Sequence, residues 1–191
     1  MIITPVAHGL DAVIATSDGP RSTGLHVSDL YSSLYKSLDP KRYDHATPPN
    51  PYHLALGLAW EQYLEKKLLQ AGVHATRPPE CSVSIKGTLL YYSPDLFIEN
   101  GVYRLGEIKL TSMSVSEDLS EPKFDKWLTQ AKLYCHLLDV PRMRFYVLFT
   151  AGDYKGNRGP MFRVYDLEFS PQELEENWLM ILHHAEHLGV L

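Results

Sequence analysis

At 191 residues, with 45% hydrophobic and 21% charged side chains, the chain is long enough to bury a core of its own and has an ordinary globular composition. Its formal net charge of −5 argues against a broad basic face for polyanions and confines any nucleic-acid contact to a local groove. Two cysteines are too few for a disulfide framework, and no apolar run approaches the length of a membrane span.

Residues 1–25 carry no clear period and are interrupted by Gly9, Gly19, Pro20 and Gly24, so they read as an N-terminal arm or extension, or a short strand, ahead of a single domain at 26–191. The opening Met-Ile-Ile-Thr-Pro-Val-Ala-His lacks a basic segment followed by an apolar one, so no secretion signal is expected and a cytoplasmic location fits. Ser28 caps a helix reaching about Leu38, which Asp39-Pro40 ends because the residue before proline is pushed out of helical geometry. A proline-rich linker at 44–51 leads to Asn50-Pro51, a helix start, and Gly72 stops that helix after Ala71.

On this second helix Leu54, Gly57, Glu61, Leu64 and Leu68 share one face. Glu61 sits among apolar residues with no lysine or arginine three or four positions away. Its partner must be a metal ion or an arginine from elsewhere, such as Arg104, because an unpartnered buried carboxylate costs several kcal/mol or takes up a proton.

Residues 73–78 and 82–92 read as strands, and 94–110 as a hairpin about Asn100-Gly101. The stretch 111–120 is a polar loop. Pro122 opens a helix to about Leu138, with Phe124, Leu128, Ala131, Cys135 and Leu138 inward and Lys123, Trp127, Gln130 and Tyr134 on a neighbouring stripe. Strands at 142–150 and 161–169 follow, separated by a loop in which Tyr154, Lys155, Asn157 and Arg158 read as solvated. Ser170-Pro-Gln-Glu173 is a capping box for the last helix, where His183, His184 and His187 read as favourable charge at the negative helix end. This order gives an α/β chain with a central mixed β-sheet flanked by helices.

Chemistry concentrates in the hairpin. Alternation along a strand points Glu107 and Lys109 one way and Ile108 the other. A second carboxylate, Asp95, precedes the first strand just after Pro94. Paired hard oxygen ligands suit Mg2+ or Mn2+, and an adjacent ammonium suits an anionic transition state or an attacking water. A two-residue Asn100-Gly101 turn would set Asp95 opposite Gly106, with Glu107 on the other face. An acid pair on one face therefore requires a three-residue turn or a bulge.

Pro94-Asp95 followed by Glu107-Ile108-Lys109 resembles the PD-(D/E)xK nuclease signature. Gln130 to Tyr134 resembles the Q-x-x-x-Y motif of its RecB and lambda-exonuclease branch, and Gly57 to Glu61 resembles the helix preceding the core there. Ser28 to Tyr43 loosely resembles the branch's opening helix, so the resemblance spans roughly residues 26 to 150 in the family's order. It implies a restriction-endonuclease-like core and a metal-dependent deoxyribonuclease, exonuclease more than endonuclease. By that resemblance Asp95, Glu107 and the Ile108 backbone carbonyl bind Mg2+ or Mn2+, with Glu61 reaching the metal. The resemblance likewise implies that Asp95, Glu107 and Lys109 are catalytic and that Gln130 and Tyr134 reach toward the metal site and the DNA backbone. The cysteine count excludes the iron–sulfur cluster of some relatives. The implied partners are DNA, with no membrane, and a homo-oligomer or a recombination or replication protein is compatible. A non-cleaving nucleic-acid-binding or scaffolding protein on the same fold is the alternative.

Overall fold

A computed structural model of the chain describes residues 22–43, 51–99, 101–116, 118–153 and 159–191. Most of the expected N-terminal arm, together with Asn50, Asn100 and the loop residues 154–158, lies outside these. In chain order the elements are β1 (Leu25–His26), α1 (Val27–Leu38), α2 (Pro40–Tyr43), α3 (Pro51–Gln70), β2 (Ala75–Thr76), β3 (Cys81–Ile85) and β4 (Thr88–Tyr92). There follow β5 (Leu96–Ile98), β6 (Leu105–Thr111), a 3-10 turn (Pro122–Phe124), α4 (Asp125–Leu137), β7 (Arg142–Phe149), β8 (Met161–Glu168) and α5 (Pro171–His187).

The strands form a five-stranded sheet in the order β2-β5-β6-β7-β8 and a three-stranded sheet in the order β1-β4-β3. Both are mixed. In the large sheet only β6 and β7 run parallel, joined through α4 as parallel neighbours require. The expected α/β architecture, mixed sheets flanked by helices, is what the chain adopts, though with a second small sheet.

The two faces of the large sheet carry different cores. On one, Leu105, Met143, Phe145, Val147 and Phe149 join Ala131, Leu133 and Cys135 of α4 and the inner faces of α1 and α5. On the other, Leu96, Ile98, Ile108 and Tyr146 meet Leu64 of α3. Helix α1 packs through Val27, Leu30, Tyr31 and Leu34, the spacing of one helical face. Ser170 and Glu173 make the expected reciprocal capping bonds at the start of α5. Among the described residues no helix is long and apolar enough to cross a membrane.

Two local readings differ. Residues 82–92 are not one strand but a hairpin, turned at Lys86 and Gly87 with φ of 49° and 86°. Positive φ at both central residues is the geometry whose twist suits a two-residue hairpin loop. The site hairpin, β5–β6, has Leu96 opposite Gly106 and Phe97 opposite Leu105. That is the register an acid pair on one face requires. The connection is longer than a three-residue turn, since the pairing ends with the Ile98 amide donating to the Arg104 carbonyl.

Gly106 holds this hairpin closed. A Cβ there would meet Tyr146 Cε2 at 3.1 Å and Leu96 Cβ at 3.2 Å. Gly106→Val is expected to cost about 1–3 kcal/mol by overpacking, measured by thermal or urea unfolding. It should also weaken any function of the acid pair, because β5 must move off β6. An unchanged midpoint would show that the contact yields freely.

Candidate functional site

Strand β6 lies between β5 and β7 and is buried along most of its length, so polar side chains on it need internal partners. Strand β5 pairs with β6 only near Gly106 and Leu105, leaving the β5-side edge of β6 open beyond that point. Asp95 sits there, one residue before β5 and across from Glu107. Its Oδ2 accepts a hydrogen bond from the Ile108 amide at 2.7 Å. The N–H and C=O of one strand residue point to the same side. The Ile108 carbonyl therefore faces the same open edge as the Asp95 carboxylate.

Glu107 is 2% exposed. Its Oε1 accepts from Lys109 Nζ at 2.7 Å and from Gln130 Nε2 at 2.7 Å. The Gln130 Oε1 accepts from Lys109 Nζ at 2.8 Å, and its Nε2 also donates to the Tyr134 hydroxyl at 3.3 Å. Gln130 is thus oriented by charge, amide oxygen toward the ammonium and NH2 toward the carboxylate. The spacing of four that puts Gln130 and Tyr134 on one side of α4 explains how both reach the acid. Both are turned inward, and Tyr134 is buried within the core rather than beside it. The Lys109 ammonium also stands 6.0 Å from the Trp127 ring centroid.

Glu107 Oε2 is buried with no hydrogen-bond partner among the described residues. The Asp95 carboxyl is pushed up to about 7, first by burial and then by the Glu107 charge, against the opposing pull of Lys109 and the Ile108 amide. Burial alone would lower the Lys109 ammonium, but Glu107 and Asp95 hold it above its ordinary value. Tyr134 is raised by burial and by Glu107, so its hydroxyl stays protonated. A buried Glu107 and a half-buried Asp95 thus lie close together, with Lys109 and, more weakly, Arg77 as the cations acting on Asp95, and one Glu107 oxygen stays unsatisfied. A buried charge left so is costly unless a cation completes it.

Glu61 approaches from the opposite face of the sheet, on α3, which packs through Leu64 against Leu96, Ile98 and Ile108. Its partner is Arg77, not Arg104: Arg77 Nη2 donates to Glu61 Oε2 at 2.7 Å and to Glu65 Oε1 at 2.9 Å. Burial and then the Asp95 charge raise the Glu61 carboxyl. Among the described residues no three His, Cys, Asp or Glu groups converge as a ready chelate. Arg77 holds Glu61 aside, while Asp95 and Glu107 adjoin each other. A Cβ added at Gly57 would meet nothing within 4 Å among the described residues. Gly57 opens on a cleft of about 410 Å3, lined also by His53, Lys109, Thr111, Ser112 and Thr150. Arg77 and this cleft escape the sequence, since Arg77 lies in an aperiodic Arg-Pro-Pro connection and the cleft joins distant elements.

No family model matches the chain, and no curated protein matches it by sequence. Solved structures do. LHK-Exo in complex with dAMP superposes with a TM-score of 0.56 over 94% of this chain and 91% of its own, at 12% identity. SSO0001 gives a TM-score of 0.54 over 91% of this chain and 83% of its own, at 15% identity. The chain shares the fold of an exonuclease.

Glu61→Gln separates two roles for this side chain. Arg77 keeps Glu65, and the pair is partly solvated, so the stability loss should stay within about 1 kcal/mol. Loss of catalysis of about tenfold or more, with weakened Mn2+ affinity in calorimetry, is expected if Glu61 serves the metal. A variant that melts early yet cleaves fully whenever folded would leave it only its ion pair.

Proposed function

We propose that the chain is a divalent-metal-dependent deoxyribonuclease that hydrolyses phosphodiester bonds, acting on DNA ends rather than within the strand. One observation carries this reading: the β5–β6 register puts Asp95 and the buried Glu107 on one face, with Lys109 on Glu107 Oε1 and the other Glu107 oxygen unsatisfied. The likeness to LHK-Exo supports it, and the dAMP in that structure is the kind of product such a reaction releases.

The donor set fits Mg2+ or Mn2+. Asp95, Glu107 and the Ile108 carbonyl would hold the ion, and Glu61 would join them only by leaving Arg77. One or two carboxylates suffice for such an ion, because water and substrate phosphate complete its coordination. When bound, the ion supplies charge to polarise the scissile phosphate and to acidify water.

Lys109 has three N–H donors, two of them on Glu107 and Gln130. The third serves an attacking water or the phosphate oxygen on which charge develops. Gln130 and Tyr134 position Lys109 and Glu107. Contact with the DNA backbone comes through Gln130, the less buried of the two.

The test is incubation of the purified chain with linear, circular and single-stranded DNA in Mg2+ or Mn2+, followed on denaturing gels. Degradation of linear DNA with circular DNA intact is the expected result. DNA binding without cleavage in either metal would overturn the proposal and favour a non-cleaving binding protein.

A further inference from the structure

Lys126 is the second residue of α4 and lies in a setting that disfavours a cation. Its pKa is lowered by burial first, then by the charges of Lys109 and Lys36. It also sits in the first turn of a helix, where the dipole is positive. Among the described residues no carboxylate forms an ion pair with it. Neighbouring Asp125 lies instead in a pocket with Tyr35, Thr129 and Asn177, and Asp39 accepts from the Arg42 amide. What holds the ammonium is aromatic. It stands 5.7 Å from the Tyr31 ring centroid and 5.9 Å from that of Tyr43.

The position matters as much as the environment. Lys126 and Gln130 are one turn apart on the same side of α4, about 6 Å along the axis, and Gln130 touches both Glu107 and Lys109. Beyond Lys126 lie Tyr43 and Arg42, whose guanidinium stands 5.2 Å from the Tyr43 ring centroid. In a chain of net charge −5 this is a local positive lane with aromatic faces, leading away from the acid pair. Alternating cations and rings are how single strands are held, by phosphate contact and stacking.

We propose that Lys126 grips the phosphate next to the scissile one, and that the lane through Tyr43 and Arg42 carries a single strand of DNA away from the acid pair. This rests on the nuclease reading only for which phosphate is scissile.

The experiment measures equilibrium binding of a labelled single-stranded oligonucleotide to the full chain in Ca2+, across a range of KCl, for the parent chain, Lys126→Met and Lys126→Arg. Methionine keeps an apolar stem on the tyrosines and removes the charge. The expected result is a slope of log affinity against log salt flatter by about 0.7 in Lys126→Met, one phosphate contact on a single strand, and restored in Lys126→Arg. In parallel, cleavage in Mg2+ should show a raised KM and a kcat within about twofold. An unchanged slope in Lys126→Met overturns the proposal, as does no binding by the parent chain or a preference for blunt duplex. If the slope is unchanged while cleavage proceeds, only the strand contact falls. If the slope flattens while no metal supports cleavage, only the nuclease reading falls.

Discussion

Lys109→Met is expected to abolish hydrolysis and to lower the melting temperature of the metal-free protein, with much of that thermal loss recovered on adding Mn2+. Lys109 is the cation within hydrogen-bond reach of Glu107, and Glu107 is almost wholly buried. Removing one partner of a buried pair costs about 3–5 kcal/mol, because the other charge stays buried alone. In a chain of this length that is roughly 10 °C. A bound divalent ion brings positive charge to the same carboxylates and offsets most of the loss. The chemistry is not recovered, since the donor aimed at water or phosphate is gone; a loss of at least about 10²–10³ in kcat is expected. Differential scanning calorimetry with and without Mn2+, alongside the DNA assay, checks both halves. Equal thermal loss in both states would mean that the ion binds elsewhere.

The affinity for Mn2+ should rise steeply with pH up to about neutrality and then level off. Asp95 is raised in the folded chain from an ordinary 3.8 to about 7. Between those values the native carboxyl keeps a proton that the unfolded one has lost. Its contribution to stability is full below the unfolded value and is lost as pH rises through the folded one. At 1.36 kcal/mol per unit the upper bound is roughly 4 kcal/mol. The metal-free protein should therefore weaken from about pH 4 to about pH 7, while metal binding displaces the same proton and tightens up to about tenfold per unit in that window. Titrations in buffers of different ionisation enthalpy count the proton: about one released per Mn2+ at pH 6, and almost none at pH 8. Asp95→Asn should release none at either pH. Proton-free binding at pH 6 by the parent chain would remove Asp95 from the metal site.

How much of this was legible follows from where each signal lives. The acid pair was readable because strand alternation and hairpin register are local rules, and Asp95, Glu107 and Lys109 fall within one hairpin. The last helix was readable because Ser170 and Glu173 satisfy each other within one turn. The Lys86-Gly87 turn is hidden in the sequence because lysine seldom adopts positive φ. The small sheet depends on Leu25 and His26 pairing with β4, which no local pattern reveals. Glu61 could be recognised as needing a partner, but Arg77 could not be named, since an aperiodic connection between prolines carries no facing information. Gln130 could be assigned to a stripe beside the core face of its helix, but not to the Glu107 and Lys109 side chains that it bonds. That stripe is polar because the strand beneath it presents charges.

The bond from the Ile108 amide to the Asp95 carboxylate has a spectroscopic use. Most amides of a buried strand donate to a backbone carbonyl that never changes charge. This one donates to a group that gains or loses a proton near neutral pH. Its proton chemical shift and its exchange rate with solvent therefore follow the ionisation of the acid, with an inflection at the carboxyl's own pKa. A single resonance in a labelled sample thus follows the acid in the resting protein, without substrate, product or turnover.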